Sequence, residues 1–339
     1  MSRVVTFGEM LMRLSPPGCE RLFQSPAFGI AFGGAEANVA VSLAHFGIES
    51  SYVTRLPGNA IGDAAIRALR AEGVHTDHVL RGGERMGIYF VETGAGQRPS
   101  TVVYDRQHSA IATIDPSSIP WERVLRGTKW LHVSGITPAL GTGPAACMAH
   151  AIGAAKRAGI TVSLDLNYRQ LLWSANDAAA ALRPLVATVD MLIANEEHLQ
   201  TILGIEMVPV RASDNRAAYE DAARRTAIMY GLTRVALTLR DGRSANRSGW
   251  GAVLLDSASD TFVEGPRHDI EVVDRVGAGD AFTAGLIFGI VSGRTPEAAL
   301  RFALAAGALK HTIPGDFNRV SAEDVDRLAG GTGSGRMVR

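Results

Sequence analysis

The chain has 339 residues, 46% of them hydrophobic, enough to bury a large core. Lys and Arg total 34 and Asp and Glu total 34, so no net field favours nucleic acid or an anionic membrane surface. Only Cys19 and Cys147 are present, which excludes a disulfide framework and fits a reducing cytoplasm. No apolar run approaches the roughly 20 residues that span a bilayer, and the opening MSRVVTFGEM has no signal-peptide pattern.

In chain order, Val4 to Gly8 reads as a short buried strand, and Arg13 to Phe32 carries scattered Pro and Gly with no helical period. Gly33-Gly34-Ala35-Glu36-Ala37-Asn38 opens a helix bearing Val39, Leu43 and Phe46. Ser50 to Leu56 is strand-like, and Ile61 to Glu72 is helical and stopped by Gly73. Gly87 to Thr93 and Ser100 to Arg106 are strands joined by turn chemistry, Gly94-Ala95-Gly96-Gln97-Arg98-Pro99, and so form a hairpin. A hairpin does not belong inside a parallel sheet. With residues 11–33 it predicts a small β lid spanning 11–33 and 86–111, set over a core of 1–10, 34–85 and 112–328.

From Trp130 strands and helices alternate. Strands are expected at Trp130–Ser134, Thr161–Leu166, Met191–Ala194 and Val235–Leu239, and helices at Pro144–Ala158, Ala178–Ala187, Glu196–Leu203 and Tyr219–Tyr230. This order implies an α/β fold with a mostly parallel sheet covered by helices on both faces. Gly251 to Asp256 and Asp260 to Glu264 predict a second hairpin at the sheet edge. Helices at about 279–291 and Pro296 to His311 finish the core, and 329–339 reads as a flexible tail.

The chemistry centres on Asp274-Arg275-Val276-Gly277-Ala278-Gly279-Asp280. Small residues let a backbone approach a ligand, and the apolar helix that follows offers its free N–H groups to an anion. Asp280 places a carboxylate in that first turn. An anion hole beside a base is what phosphoryl transfer to a hydroxyl needs. Taken alone, the stretch reads equally well as a turn with a dipole-satisfying acid. Polar clusters at strand ends, Asp165 to Arg169, Asn195 to Glu197 and Thr238 to Asp241, read singly as caps and jointly as one cleft. No P-loop, dinucleotide fingerprint, zinc spacing or nucleophile elbow occurs.

Asp274 to Leu286 resembles the C-terminal signature of the ribokinase-like (PfkB-type) carbohydrate kinases. Phe32 to Ala40, with Gly47 and Gly58, resembles their N-terminal signature. The matching strand–helix order covers nearly the whole chain. Within the family, Gly8-Glu9, Arg13 to Pro16, Tyr104-Asp105-Arg106, Asp165 to Arg169 and Gly315 to Asn318 are similar to the branch acting on 2-keto-3-deoxygluconate.

The resemblance implies a three-layer sandwich with a β lid, and an ATP- and Mg²⁺-dependent sugar kinase. Asp280 is then the base, and the amides of Gly277, Ala278 and Gly279 are the anion hole. Gly34, Asn38, Tyr89, Tyr104, Arg106, Arg169 and Asp316 face the sugar acid, with Arg106 on its carboxylate. Asn167, Arg169, Asn195, Thr238, Arg240, Gly277 and Gly279 face the nucleotide, and Glu197 makes an indirect metal contact. A family-type monovalent cation is also implied, and the open edges of a small β lid suggest a homo-oligomer joined through it. A guanidinium fork suits a carboxylate, an attraction on the order of 4 kcal/mol at ~4 Å and an effective dielectric of ~20 before desolvation.

Three features depart from the family pattern: His198 stands where a glutamate is usual, Arg275 where a small or β-branched residue is usual, and Thr238 to Gly242 lacks a Gly-x-x-Gly. The alternatives are a kinase of a neutral sugar such as fructose or ribose, and a sugar- or nucleotide-binding protein without catalysis.

Overall fold

The computed structural model describes residues 3–207, 215–242 and 244–331. Its strands are β1 (Arg3–Phe7), β2 (Leu11–Ser15), β3 (Gly29–Gly33), β4 (Glu49–Leu56), β5 (Val79–Arg81), β6 (Gly87–Glu92) and β7 (Thr101–Asp105), then β8 (Thr128–Ser134), β9 (Thr161–Asp165), β10 (Met191–Asn195), β11 (Arg234–Gly242), β12 (Arg247–Asp256), β13 (Thr261–Glu264) and β14 (His268–Glu271). The helices are α1 (Ala35–His45), α2 (Ala60–Ala71), α3 (Trp121–Val124), α4 (Thr142–Arg157), α5 (Ala175–Val186), α6 (Glu196–His198), α7 (Asn215–Tyr230), α8 (Ala278–Val291), α9 (Pro296–Lys310) and α10 (Ala322–Ala329).

A 10-stranded sheet runs β13-β12-β11-β10-β9-β8-β1-β4-β5, with β14 paired to β12. It is parallel from β5 to β11 and turns antiparallel at β12. Neighbouring residues on a strand point to opposite faces, and the core divides accordingly. Val5, Leu131, Leu192 and Val235 pack toward one set of buried residues that includes Ala151 of α4, Leu182 of α5 and Ala223 of α7. Val4, Trp130, Met191 and Ala236 pack toward another, with Leu43 of α1, Phe282 of α8 and Phe302 of α9. These are the expected layers: a mostly parallel sheet between two sets of helices.

A second, 4-stranded sheet runs β3-β2-β6-β7. The predicted hairpin is its β6–β7 pair, antiparallel with Tyr89 opposite Tyr104. The aperiodic stretch 13–32 supplies β2 and β3, whose strand character was hidden because the outer face of β3 stays exposed.

Several expectations need correction. The helix read at Glu196–Leu203 is one α turn followed by a π turn at Leu199–Leu203. The strands β5 and β14, and the helix α10, were not foreseen; β5 and β14 are three and four residues long, too short to show a period. The tail read at 329–339 begins later than Ala329, which closes α10, and 332–339 lie outside the described residues. No described helix is long and apolar enough to cross a membrane.

Candidate active site

The carboxyl ends of β1, β8, β9, β10 and β11 and the inner face of the small sheet enclose a cavity of about 580 Å³, within the size range of small-molecule sites. The N-terminus of α8 projects into it. Gly277 caps this helix with φ +83°, the left-handed region that glycine enters without a Cβ penalty. A Cβ there would lie 2.1 Å from the Asp316 carbonyl oxygen.

Asp274 shapes the turn before the helix. Its carboxylate accepts the Val276 and Gly315 N–H groups, each at 3.0 Å. Arg13 Nη1 lies 2.8 Å from Asp274 and 3.0 Å from Asp316, so one buried guanidinium joins β2 to this turn. Behind Gly277 stands Lys310, fully buried, its ammonium donating to the Ile313 carbonyl at 2.9 Å. Burial lowers its pKa, against the pull of Asp274 and Asp316.

Asp280 lies in the first turn of α8 and faces the cavity. Asn38 Nδ2 donates to its Oδ2 at 2.7 Å, which ties α8 to α1. Burial pushes the Asp280 carboxyl up to about 6, opposed by the Asn38 hydrogen bond and the Arg169 charge. The other amide atom, Asn38 Oδ1, is buried without a hydrogen-bond partner. Gly34, just before α1, has φ +150°, and a Cβ on it would sit 2.1 Å from the Glu9 carbonyl oxygen. Two further acids line the same wall. Burial pushes Glu36, held by Ser134 at 2.6 Å, up to about 7. Burial and the nearby Asp280 charge push Asp165 to about 7 as well.

On the small sheet Tyr89 and Tyr104 stack at 6.0 Å, and the Arg106 guanidinium lies 5.2 Å from the Tyr104 ring. All three line the cavity, but two of them are already engaged. The Tyr89 hydroxyl donates to Asp316. Arg106 donates from Nε at 2.8 Å, and also from Nη2, to Glu9, which accepts from Ser109 at 2.5 Å too. The expectation of an open guanidinium fork is therefore corrected: its two-pronged face is spent on a buried glutamate, and Nη1 is what remains for a ligand. Asp316 is likewise engaged, holding Arg13 and Tyr89.

Toward the other end lie Asn167, Arg169, Asn195, Glu197, His198, Thr238, Arg240 and Arg275. Asn167 adopts φ +36° just after β9, a conformation asparagine tolerates better than most residues. Asn195 Oδ1 caps α6 by accepting the His198 N–H at 2.7 Å, so only its amide nitrogen is available. Burial lowers His198 to about 4, helped by Arg169 and Arg240, so the imidazole is neutral near pH 7 and offers no negative charge. Among the described residues no group of three or more His, Cys, Asp or Glu forms a metal site. A magnesium ion that arrives with phosphates needs only one or two carboxylates, and exposed Glu197 is the available one at this end.

The structure gathers every residue expected at the site around this one cavity except Ala278. Ala278 is fully buried and its N–H points to the Arg275 carbonyl at 3.4 Å, whereas Gly277 and Gly279 line the cavity. Arg240 Nη2 would lie 3.2 Å from a Cβ on Gly279, which puts a guanidinium beside the helix N-terminus. Glu9, Glu36, Arg13 and Lys310 were not read as site residues, and Asp165 was read only as part of a polar cluster at a strand end. Glu36 had a signal: it is the lone acid in the helix opening Ala35-Glu36-Ala37-Asn38. Lys310 had none, because a lysine in the last turn of a helix reads as a dipole partner.

A family model described as pfkB family carbohydrate kinase matches residues 1–321. The chain is 31% identical over 335 residues to a 2-dehydro-3-deoxygalactonokinase of Haloferax volcanii, covering 98% of each chain. It is 28% identical over 316 residues to a 2-dehydro-3-deoxygluconokinase of Bacillus subtilis, covering 93% of this chain and 91% of the other. The crystal structure of a 2-dehydro-3-deoxygluconokinase from Thermotoga maritima superposes with a TM-score of 0.94 at 45% identity, covering 97% of this chain and all of the other. With the helix-capping glycines, the apposed Asp280 and Asn38 and the two-sheet architecture already in place, this chain belongs to the PfkB family of carbohydrate kinases.

Proposed function

We propose that this chain is an ATP-dependent kinase that phosphorylates the primary hydroxyl of a 2-keto-3-deoxy sugar acid, 2-keto-3-deoxygluconate or its galacto epimer. The observation that carries the reading is the Asp280–Asn38 contact of 2.7 Å at the head of α8. A carboxylate with a pKa near 6 is mostly ionised at pH 7 yet basic enough to take a proton. The hydroxyl oxygen attacks the terminal phosphorus of ATP, its proton passes to Asp280, and the bond to the bridging oxygen of ADP breaks in line. The Gly277 and Gly279 amides, with Arg240 beside them, meet the charge on the transferring group. Glu197 would help to hold, indirectly, a magnesium ion arriving with the phosphates, and that ion would supply charge neutralisation.

The sugar's place is the half of the cavity nearer α1. Asn38 Oδ1, buried and unpartnered, suits a sugar hydroxyl as donor. The Tyr89–Tyr104 pair gives the ring face a wall. Arg106 Nη1 and Arg169 are the cations left for a carboxylate. In this reading residues 11–33 and 86–111 act as a lid over the core of 1–10, 34–85 and 112–328. The open edge strands β3 and β7, with Ile30 and Val103 exposed, pair with a second copy.

The engagement of Arg106 by Glu9 favours one alternative, a kinase of a neutral sugar. ADP release across a panel of both 2-keto-3-deoxy epimers, fructose and ribose, with and without potassium, decides between them. Turnover on the acids at least tenfold above the neutral sugars supports the first reading; the reverse order supports the second.

A further inference from the structure

The tip of the β6–β7 hairpin does not end in solvent. Gly96 donates its N–H to Asn246 Oδ1 at 2.6 Å and accepts the Ala245 N–H at 3.0 Å. The small sheet is thus docked, by two hydrogen bonds, on the turn between β11 and β12. The other side of that turn is held by Arg275. Its Nε and Nη2 donate to the Ala245 carbonyl at 3.3 and 2.8 Å, and Nη2 also reaches the Ser244 carbonyl. Arg275 stands two residues before Gly277, in the turn that Asp274 anchors from below through Val276, Gly315 and Arg13. Asn246 also accepts the Val272 N–H at 2.8 Å, so the β11–β12 turn is tied to the strand of chain leading into the anion hole. A run of hydrogen bonds therefore joins the hairpin tip to Arg275, two residues along the chain from the helix-capping glycine.

We propose that Arg275 is a positioning residue that couples the seating of the lid hairpin to the alignment of the Gly277 and Gly279 amides, acting through the 244–246 turn. The inference rests on the kinase reading of the site. A side chain spanning two backbone carbonyls holds a distance that the family's usual small residue at this place cannot hold. The sugar end and the phosphate end of the cavity then close as one event, because a contact strengthened at either end is felt at the other. The coupling also keeps water from the terminal phosphate until the hairpin tip is seated.

The test uses Arg275→Met, Arg275→Lys, Asn246→Ala and the double variant Arg275→Met/Asn246→Ala in the full chain. Asn246 is exposed and lies outside the cavity lining, so its variant reports on the latch alone. Arg275→Met is expected to lower kcat about 10- to 100-fold, the scale of a misplacement near 1 Å, and Asn246→Ala by a smaller factor. The double variant should be no slower than Arg275→Met, and the ratio of ADP to sugar phosphate formed should rise above one in each. Arg275→Lys keeps the charge but loses the two-carbonyl fork, so it should behave like the methionine variant. Hydrogen exchange at the Gly96 amide should quicken in Arg275→Met and needs no turnover.

Fold losses that multiply in the double variant, rescue by lysine, or unchanged exchange at Gly96 would each overturn the coupling. If Arg275→Met does not fold, unchanged kcat and an unchanged product ratio in Asn246→Ala overturn it instead. Absence of wild-type turnover on every sugar defeats the kinase reading, and the exchange measurement then still decides whether Arg275 holds the hairpin tip.

Discussion

Asn38→Ala removes a side-chain hydrogen bond that favours the ionised form of Asp280. The group has been raised to about 6 by burial, and the Asn38 amide at 2.7 Å is first among the contacts that oppose the rise. A hydrogen bond to a charged acceptor is worth about 1.5–3 kcal/mol, and about 1.4 kcal/mol corresponds to one pH unit. The acidic limb of kcat should therefore move up by about one to two pH units. At pH 7 the ionised fraction falls from about nine-tenths to between a half and a tenth. The assay is kcat at saturating sugar and ATP from pH 5 to 9. Saturation separates this effect from any loss of sugar affinity, since the proposed reading gives Asn38 Oδ1 a sugar hydroxyl as well. The variant should recover toward wild-type turnover at the alkaline end. A uniform loss at every pH, with the limb unmoved, would show that Asn38 does not tune Asp280 and that the contact is structural.

Gly277→Ala should be damaging on two counts, a positive φ and a Cβ 2.1 Å from the Asp316 carbonyl oxygen; the left-handed conformation alone costs about 1–2 kcal/mol. A melting temperature several degrees lower and loss of turnover are expected, and an unchanged melting curve would contradict the geometry. Arg13→Met leaves Asp274 and Asp316 without their shared cation, so denaturant titration should show a loss of about 3–5 kcal/mol. Glu36 has an ordinary value of 4.5 and a folded value of about 7, so the folded state holds the proton more tightly. Its contribution to stability is complete below about 4.5 and is lost as pH rises through about 7. Glu36→Gln should then be more stable than wild type at pH 8, on the order of 1–3 kcal/mol, and the difference should shrink toward pH 5. Equal pH profiles for the two proteins would count against it.

The fold was legible where the chain repeats itself. From Trp130 onward the apolar strands and amphipathic helices come in regular alternation, and each found its place in the parallel sheet or beside it. The small sheet was legible only in its β6–β7 half, because Gly94 to Pro99 is turn chemistry while β2 and β3 lie in a stretch broken by Pro and Gly. In the site, residues with a local signature were visible, such as the glycines around Asp280 and the Gly-Gly before Asn38. Side chains whose role depends on a partner far away in sequence were not. Glu9 meets Arg106 across 97 residues and Arg13 meets Asp316 across 303, and no local pattern announces either pair. The same distance effect explains Arg106. Its type and strand position suited a carboxylate ligand, and only the fold shows a glutamate already on its fork.

Replacement of Asp280 by asparagine tests the central claim most directly. The change keeps the shape at the head of α8 and removes the proton acceptor. With sugar and ATP binding followed by calorimetry alongside ADP release, binding is expected within a few-fold of wild type and turnover lowered about 10²- to 10⁴-fold. Turnover close to wild type, with binding intact, would contradict it.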